Sequence, residues 1–351
     1  MKRKIRRIVL VAISALVALG VLHTLYLGGM FRTIEPHAPG ACVAIEGIVG
    51  GEDLEWRANG REIFVSSDDR RNMATTQGAI FLVEPGASNP QPINVTPALD
   101  FDFHPHGISL FIDETGKERL FVVNHASHTE HSIELFDVNE DGRLLHVRTI
   151  TDSALISPND IAAIDGERFY VTNDHGWRHP LAKTVEDFLQ LALGNVLFYD
   201  GQGFEEVYGA TRYANGINTS LDHRRVYVAE TIGRVVHSFA RDARTNRLTL
   251  EESFDAHTGV DNIDVAADGS LWIAAHPRML MFLPHSKRGS VRSPSQVIRL
   301  EHGEGGALAM KEIYLNNGDP ISASATATAR DGLMIIGPVF DPFLLVCRLD
   351  R

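Results

Sequence analysis

The segment Asn159-Asp160-Ile161-Ala162-Ala163-Ile164-Asp165-Gly166-Glu167-Arg168-Phe169-Tyr170-Val171-Thr172-Asn173 carries the clearest structural signal in the chain. A polar pair leads into four apolar residues, Asp165-Gly166 makes a turn, and a strand rich in aromatic and β-branched residues follows. The same order of signals recurs roughly every 50 residues, after Glu52-Asp53, His106-Gly107, Asn215-Gly216, Asp261-Asn262 and, in degenerate form, Ser322-Ala323. Strands are predicted after these starts at Glu62–Ser67, Arg119–Asn124, Arg168–Asn173, Arg225–Glu230, Ser270–Ala275 and Gly332–Gly337. Further strands are predicted at Ala79–Val83, Ser132–Phe136, Asn195–Tyr199, Arg234–Ser238 and Met279–Leu283. Six such units predict an all-β fold, a six-bladed β-propeller. A β-sandwich with a long tail does not explain six similarly spaced starts.

The repeat also settles the domain count. A chain of 351 residues, 44% of them hydrophobic, is long enough for two domains of roughly 150 residues. The repeats make residues 31–351 one propeller domain, preceded by an N-terminal segment, 1–30, of different character. That segment holds Lys2, Arg3, Lys4, Arg6 and Arg7, then an uncharged run from Ile8 to Leu27 that is long enough to cross a bilayer. The sequence after the run, Tyr26-Leu27-Gly28-Gly29-Met30, is a poor cleavage site, so a retained signal anchor is expected, with a secreted form as the alternative. The basic end is predicted to stay in the cytoplasm and the propeller to lie on the periplasmic or extracellular side. None of the 45 acidic residues precedes Met30, so the body carries the whole of the acidic excess behind a net charge of −12. An acidic body excludes nucleic acid as a natural partner and favours a bound multivalent cation.

Two cysteines occur, Cys42 and Cys347, near the two ends of the body. In an exported protein they read as one disulfide closing the ring, or else as two buried thiols. One helical interruption is expected over Pro180–Leu193, capped by Thr184, with Val185, Phe188, Leu189 and Ala192 on one face. It is read as a lid or membrane-facing helix over one face of the disc, or as a helix packed on a blade edge.

In a propeller the starts of successive innermost strands converge on the central channel. The converging set is Glu52, Asp53, Asn159, Asp160, Asn215, Asp261 and Asn262, all carboxylates or carboxamides. Bare buried charges would be costly, whereas hard oxygens are the ligands calcium selects. Four carboxylates match the charge of two calcium ions. Gly-x-Ser-x-Gly, phosphate-binding and His-Glu-x-x-His motifs are absent.

From Gly47 to Leu349 the sequence resembles the paraoxonases, a family of calcium-dependent lactonases and arylesterases on a six-bladed propeller. The resemblance rests on Glu52-Asp53-Leu54-Glu55, Pro105-His106-Gly107-Ile108-Ser109, Val122-Val123-Asn124-His125, Asn159-Asp160-Ile161, Thr172-Asn173-Asp174-His175, Ala214-Asn215-Gly216-Ile217-Asn218, Val260-Asp261-Asn262-Ile263 and His276-Pro277. It implies a catalytic calcium held by Glu52, Asn159, Asn215, Asp261 and Asn262. A structural calcium would be held by Asp53, Asp160 and the backbone carbonyl of Ile108. It also implies a dyad in which His106 activates water and His125, at the other ring nitrogen, fixes the tautomer, although Asp261 is an alternative base or nucleophile for some substrates. Both cysteines fall where the family has its disulfide, and Ala275 stands where the family often has a free cysteine.

The function expected is hydrolysis of lactones, acyl-homoserine lactones among them, and of aryl esters, with weak phosphotriesterase activity. Tyr213, Phe282 and Phe340 are the expected apolar rim of the substrate pocket, with His175 and His276 near the cavity. Two rivals remain: a propeller enzyme like gluconolactonase or strictosidine synthase with one channel metal, and a non-catalytic binding propeller stabilised by calcium.

Overall fold

The computed structural model describes residues 2–302 and 308–349, and in it the strands form six four-stranded antiparallel sheets. Blades 1 to 6 begin at the inner strands Gly51–Trp56, Pro105–Ile112, Pro158–Ala163, Ala214–Thr219, Gly259–Val265 and Ser324–Arg330. Each inner strand contacts the next, and the sixth contacts the first, so the blades close into a ring. The second strand of every blade lies where the repeat predicts it, within one residue at either end.

Two expectations are corrected. The sixth start lies at the strand Ser324–Arg330 rather than at Ser322-Ala323, whose residues belong to the loop before it. Met279–Leu283 is not a strand: Met279–Met281 forms a 3-10 turn and Phe282–Lys287 an α-helix, and the third strand of blade 5 is Gln296–His302. Pro284 explains the second change, because it cannot donate to a sheet ladder and is tolerated in the first turn of a helix.

Apolar side chains fill the spaces between neighbouring blades. Phe121, Phe169 and Val171 pack between blades 2 and 3, and Tyr170, Val226 and Phe239 between blades 3 and 4. Each such side chain contributes about 1.5 to 3 kcal/mol on burial. The strand Cys42–Glu46 completes blade 6 by pairing with Phe343–Arg348, which sets Cys42 opposite Cys347. The two are joined by a disulfide across 305 residues of chain.

The helix Lys2–Leu27 is apolar, with a hydropathy of 2.5, and among the described residues it alone is long enough to cross a membrane. The inserted helix spans Pro180–Leu189 between the second and third strands of blade 3. It ends earlier than predicted because Gln190 takes a left-handed conformation, φ 53°. Its cap is His179, whose Nδ1 accepts from the Leu181 amide at 3.2 Å, and not Thr184, whose hydroxyl donates to the Pro180 carbonyl. Proline at the first helical position needs no donor there, which moves the cap five residues upstream.

Candidate active site

Every inner strand breaks register at the same place: after Gly51, Pro105, Pro158, Ala214, Val260 and Ser324. A bulge re-aims the side chains within it. The residue next in chain is Glu52, His106, Asn159, Asn215, Asp261 or Ala325. The first five of these line the floor of one cavity of about 250 Å³ at the channel mouth. In blades 2 and 4 the following residue must be glycine. A Cβ on Gly107 would lie 2.5 Å from Asp160 Cα, and one on Gly216 would lie 2.6 Å from Asn262 Cα.

The carboxamides are all turned the same way. Asn159 Nδ2 donates to Asp174 at 3.3 Å, Asn215 Nδ2 to Thr231 at 3.0 Å, and Asn262 Nδ2 to the Glu52 carbonyl at 3.0 Å. The nitrogens are thereby used by the scaffold. The opposite atoms, Oδ1 of Asn159, Asn215 and Asn262, together with Glu52 Oε2, are buried and have no hydrogen-bond donor. An unsatisfied buried acceptor costs about 1 to 3 kcal/mol, and four on the inner strands of blades 1, 3, 4 and 5 around one channel call for a cation. The residues therefore fit calcium. Among the described residues no three His, Cys, Asp or Glu side chains are placed to hold a metal by themselves, and the carboxamides make up the set.

Charge tells the same story. Burial, against the pull of Arg70 and with the push of Asp261, raises the Glu52 pKa to about 7. Burial, with Asp160 and Glu52 nearby, pushes Asp53 well above the carboxylate range, and burial, with Glu52 and Glu55 nearby, does the same to Asp160. Asp53 accepts from the Ile108 amide at 2.8 Å and Asp160 from the Ile217 amide at 2.7 Å. The bond seen between Ile108 and Asp53 is thus made by the amide.

His106 and His125 meet ring edge to face, with centroids 4.9 Å apart. Burial, reinforced by neighbouring cationic groups, holds both well below the ordinary imidazole pKa. His106 Nε2 lies 3.4 Å from Glu52 Oε1, and its Nδ1 lies 3.4 Å from an Arg70 nitrogen. His125 therefore does not fix the His106 tautomer as expected: the nitrogens of His106 face Glu52 and Arg70, and the ring bond of His125 goes instead to a third histidine, His131, Nδ1 to Nδ1 at 2.8 Å. His276 Nε2 lies 2.8 Å from Asp261 Oδ2 and orients that carboxylate. The walls above include Tyr213, Phe188, His276 and Phe282. Phe340 stands behind Phe282, 5.5 Å between centroids, under the Arg71 guanidinium, and is support rather than rim.

Residues 38–349 match the family Arylesterase. The chain is 33% identical over 321 residues to serum paraoxonase/arylesterase 2 of Gallus gallus, covering 88% of this chain and 89% of that one. It is 34% identical over 331 residues to serum paraoxonase/arylesterase 1 of Homo sapiens, covering 91% of each. The chain belongs to the arylesterase (paraoxonase) family. It is accordingly a hydrolase with esterase or lactonase activity. A solved gluconolactonase from Xanthomonas campestris superposes with a TM-score of 0.51 at 16% identity, over 91% of this chain and 99% of that one, a likeness of fold alone.

His175 does not line the cavity of this arylesterase. Its Nδ1 lies 2.6 Å from Asp174 and its Nε2 2.9 Å from Asp187 on the inserted helix. Burial opposes its charge, but Asp174 and Asp187 outweigh burial and raise its pKa to about 10. The same histidine holds Asp174 below the carboxylate range against burial. An imidazolium between two carboxylates fastens the helix to blade 3, with Thr184, Asp187 and Phe188 at the cavity. Sequence reasoning passed over Arg70, His131, Asp174 and Asp187 in these roles. Asp187 could have been found from its place on the predicted helix and Asp174 from its place before His175.

Proposed function

We propose that the protein is a calcium-dependent lactonase and arylesterase that takes lactones with aliphatic chains, acyl-homoserine lactones among them, and aryl esters, with phosphotriesters as weak side substrates. The ring of buried acceptor oxygens without donors carries this reading. Glu52, Asn159, Asn215, Asp261 and Asn262 would hold a catalytic calcium, and Asp53, Asp160 and the Ile108 carbonyl a second, structural one. Calcium, when bound, supplies a Lewis acid that polarises the ester carbonyl and stabilises the negative charge that develops on it.

The side chains do the rest. His106, neutral at physiological pH because it is buried, takes the proton of the attacking water at a ring nitrogen. His125 packs on the His106 ring and is itself fixed by His131. His276 holds Asp261 in one orientation, and Arg70 does so for the Glu52 and His106 pair at 3.4 to 3.9 Å. Phe188, Phe282 and Tyr213 bind the acyl group and keep bulk water from the floor. Lys2–Leu27 would anchor the enzyme in a membrane, with the propeller on the periplasmic or extracellular side.

Phenyl acetate and a long-chain lactone, assayed before and after exhaustive chelation and again after calcium is restored, test the reading. Activity should disappear and return with calcium; turnover by fully stripped enzyme would defeat the metal mechanism.

A further inference from the structure

The N-terminal helix does not end clear of the propeller. Residues 2–23 are exposed, but Thr24, Leu25 and Leu27 are half-buried and Gly28 is buried. The two glycines that follow the helix are there for contact. A Cβ on Gly28 would lie 2.7 Å from Leu280 Cγ, and one on Gly29 would lie 2.1 Å from the Pro277 carbonyl oxygen. Gly29 also has φ +73°, a conformation that glycine adopts without strain. Just beyond, the Arg278 guanidinium donates to the Arg32 carbonyl at 2.7 and 3.1 Å, and Arg32 itself pairs with Glu312 at 2.6 Å.

These contacts place the last helical turn against the segment Pro277–Leu280. That segment follows His276, the residue that orients Asp261. Thr24, Leu27 and Gly28 face the same cavity whose floor is Glu52, His106, Asn159, Asn215 and Asp261. The side chain the turn offers to the cavity is largely apolar, through Leu27, and it stands near Leu280 and Leu283.

We propose that Thr24, Leu27 and Gly28 form a wall of the substrate cavity and set how long an acyl or alkyl chain the enzyme accepts. The segment proposed above as a membrane anchor is then also part of the specificity pocket. The proposal rests on the hydrolase reading above for its catalytic consequence, though not for the docking of the helix.

Two measurements on the full chain, embedded in nanodiscs, test it. Both native cysteines are locked in the disulfide, so introduced thiols can be read without background. In Gly28→Cys/Leu280→Cys the clash is relieved by the second substitution, and mild oxidation should give an intramolecular cross-link detectable by peptide mass mapping. Leu16→Cys/Leu280→Cys should give none. Separately, Leu27→Trp narrows the wall, so the ratio of kcat/KM for p-nitrophenyl dodecanoate over p-nitrophenyl acetate should fall about tenfold. Leu16→Trp, in mid-helix, should leave that ratio unchanged. Failure of the first cross-link overturns the docking, and a ratio unmoved by Leu27→Trp overturns the wall. If wild type hydrolyses no ester or lactone at all, the hydrolase reading fails, while the cross-link still reports on the dock.

Discussion

Two buried polar clusters meet at Asn159, and they are built on opposite principles. One is the ring of Glu52, Asn159, Asn215 and Asn262, whose inward oxygens have no donor. The other is the latch of Ser157, Asp174, His175, Lys183 and Asp187, in which each carboxylate has a partner on a hydroxyl or an imidazole and the Lys183 ammonium donates to the Ser157 hydroxyl. The ring and, in the latch, Ser157, Asp174 and His175 are removed from water, with Lys183 and Asp187 only half-buried, so the buried members of both face the same penalty for unmet polarity. The latch meets it with its own protons. The ring contains almost nothing but acceptors, and its remaining N–H groups are spent on the scaffold. Burial of polar side chains alone therefore does not mark a ligand site here; one-sided chemistry does.

The largest effect should come from removing one of the ring's oxygens. Asn215→Ala deletes an acceptor with no other purpose, and kcat/KM for phenyl acetate should fall about a thousandfold, with calcium affinity measured by calorimetry falling alongside. Asn173→Ala is the matched control. Asn173 is as deeply buried, but its amide bonds the Ser157 amide, the Ala154 carbonyl and Asn195. Its loss should lower stability by about 1 to 3 kcal/mol and leave calcium affinity alone. Equal effects of the two substitutions on calcium binding would erase the distinction between ring and scaffold.

His106→Gln should act next in size. It removes a proton acceptor and no inward oxygen ligand, so lactone kcat/KM should drop about a hundredfold while calcium stays bound. Joint loss of metal and activity would make His106 part of the ring instead.

The propeller could be read from sequence because its repeat is local: Asp165-Gly166 and the strand after it are neighbours in the chain. The ring could be read because bulges fall on the polar pairs that begin each unit. Blade 6 escaped that reading since its bulge holds Ala325, which carries no polar mark, and the nearby Ser322 looked more like a start. Met279–Leu283 has strand composition, and its helical state is fixed by Pro284 and by packing against Gly259 and the N-terminal helix, contacts remote in sequence. The role of His175 was hidden for the same reason. A histidine in one of the motifs that carry the family resemblance reads as a site residue until Asp187, twelve positions on and in another element, is seen bonded to its far nitrogen.

That bond gives the smallest effect and the one with a sign that pH can check. The groups facing His175 are Asp174, Asp187, Glu186 and the Tyr213 ring, 4.9 Å away between centroids, with Lys183 one hydrogen bond further off on Ser157. The net result is a folded-state pKa of about 10, above the unfolded imidazole value. A raised pKa stabilises the fold fully below the unfolded value, near ~6.5, and the gain is lost as pH rises through the folded value. Asp187→Asn keeps an acceptor oxygen at the same place and removes its charge. The wild type should therefore melt above the variant at pH 6, by about 1 to 2 °C for a domain this large. Asp174 still raises the His175 pKa in the variant, so the gap should persist through pH 6.5, shrink only once pH passes the variant's own His175 pKa, and close near pH 10. It should remain small throughout, because the Asp187 side chain is 37% exposed and partly screened by water. A gap that stays constant across that range would mean that His175 is neutral in the fold, and that the inserted helix is held over the cavity by shape alone.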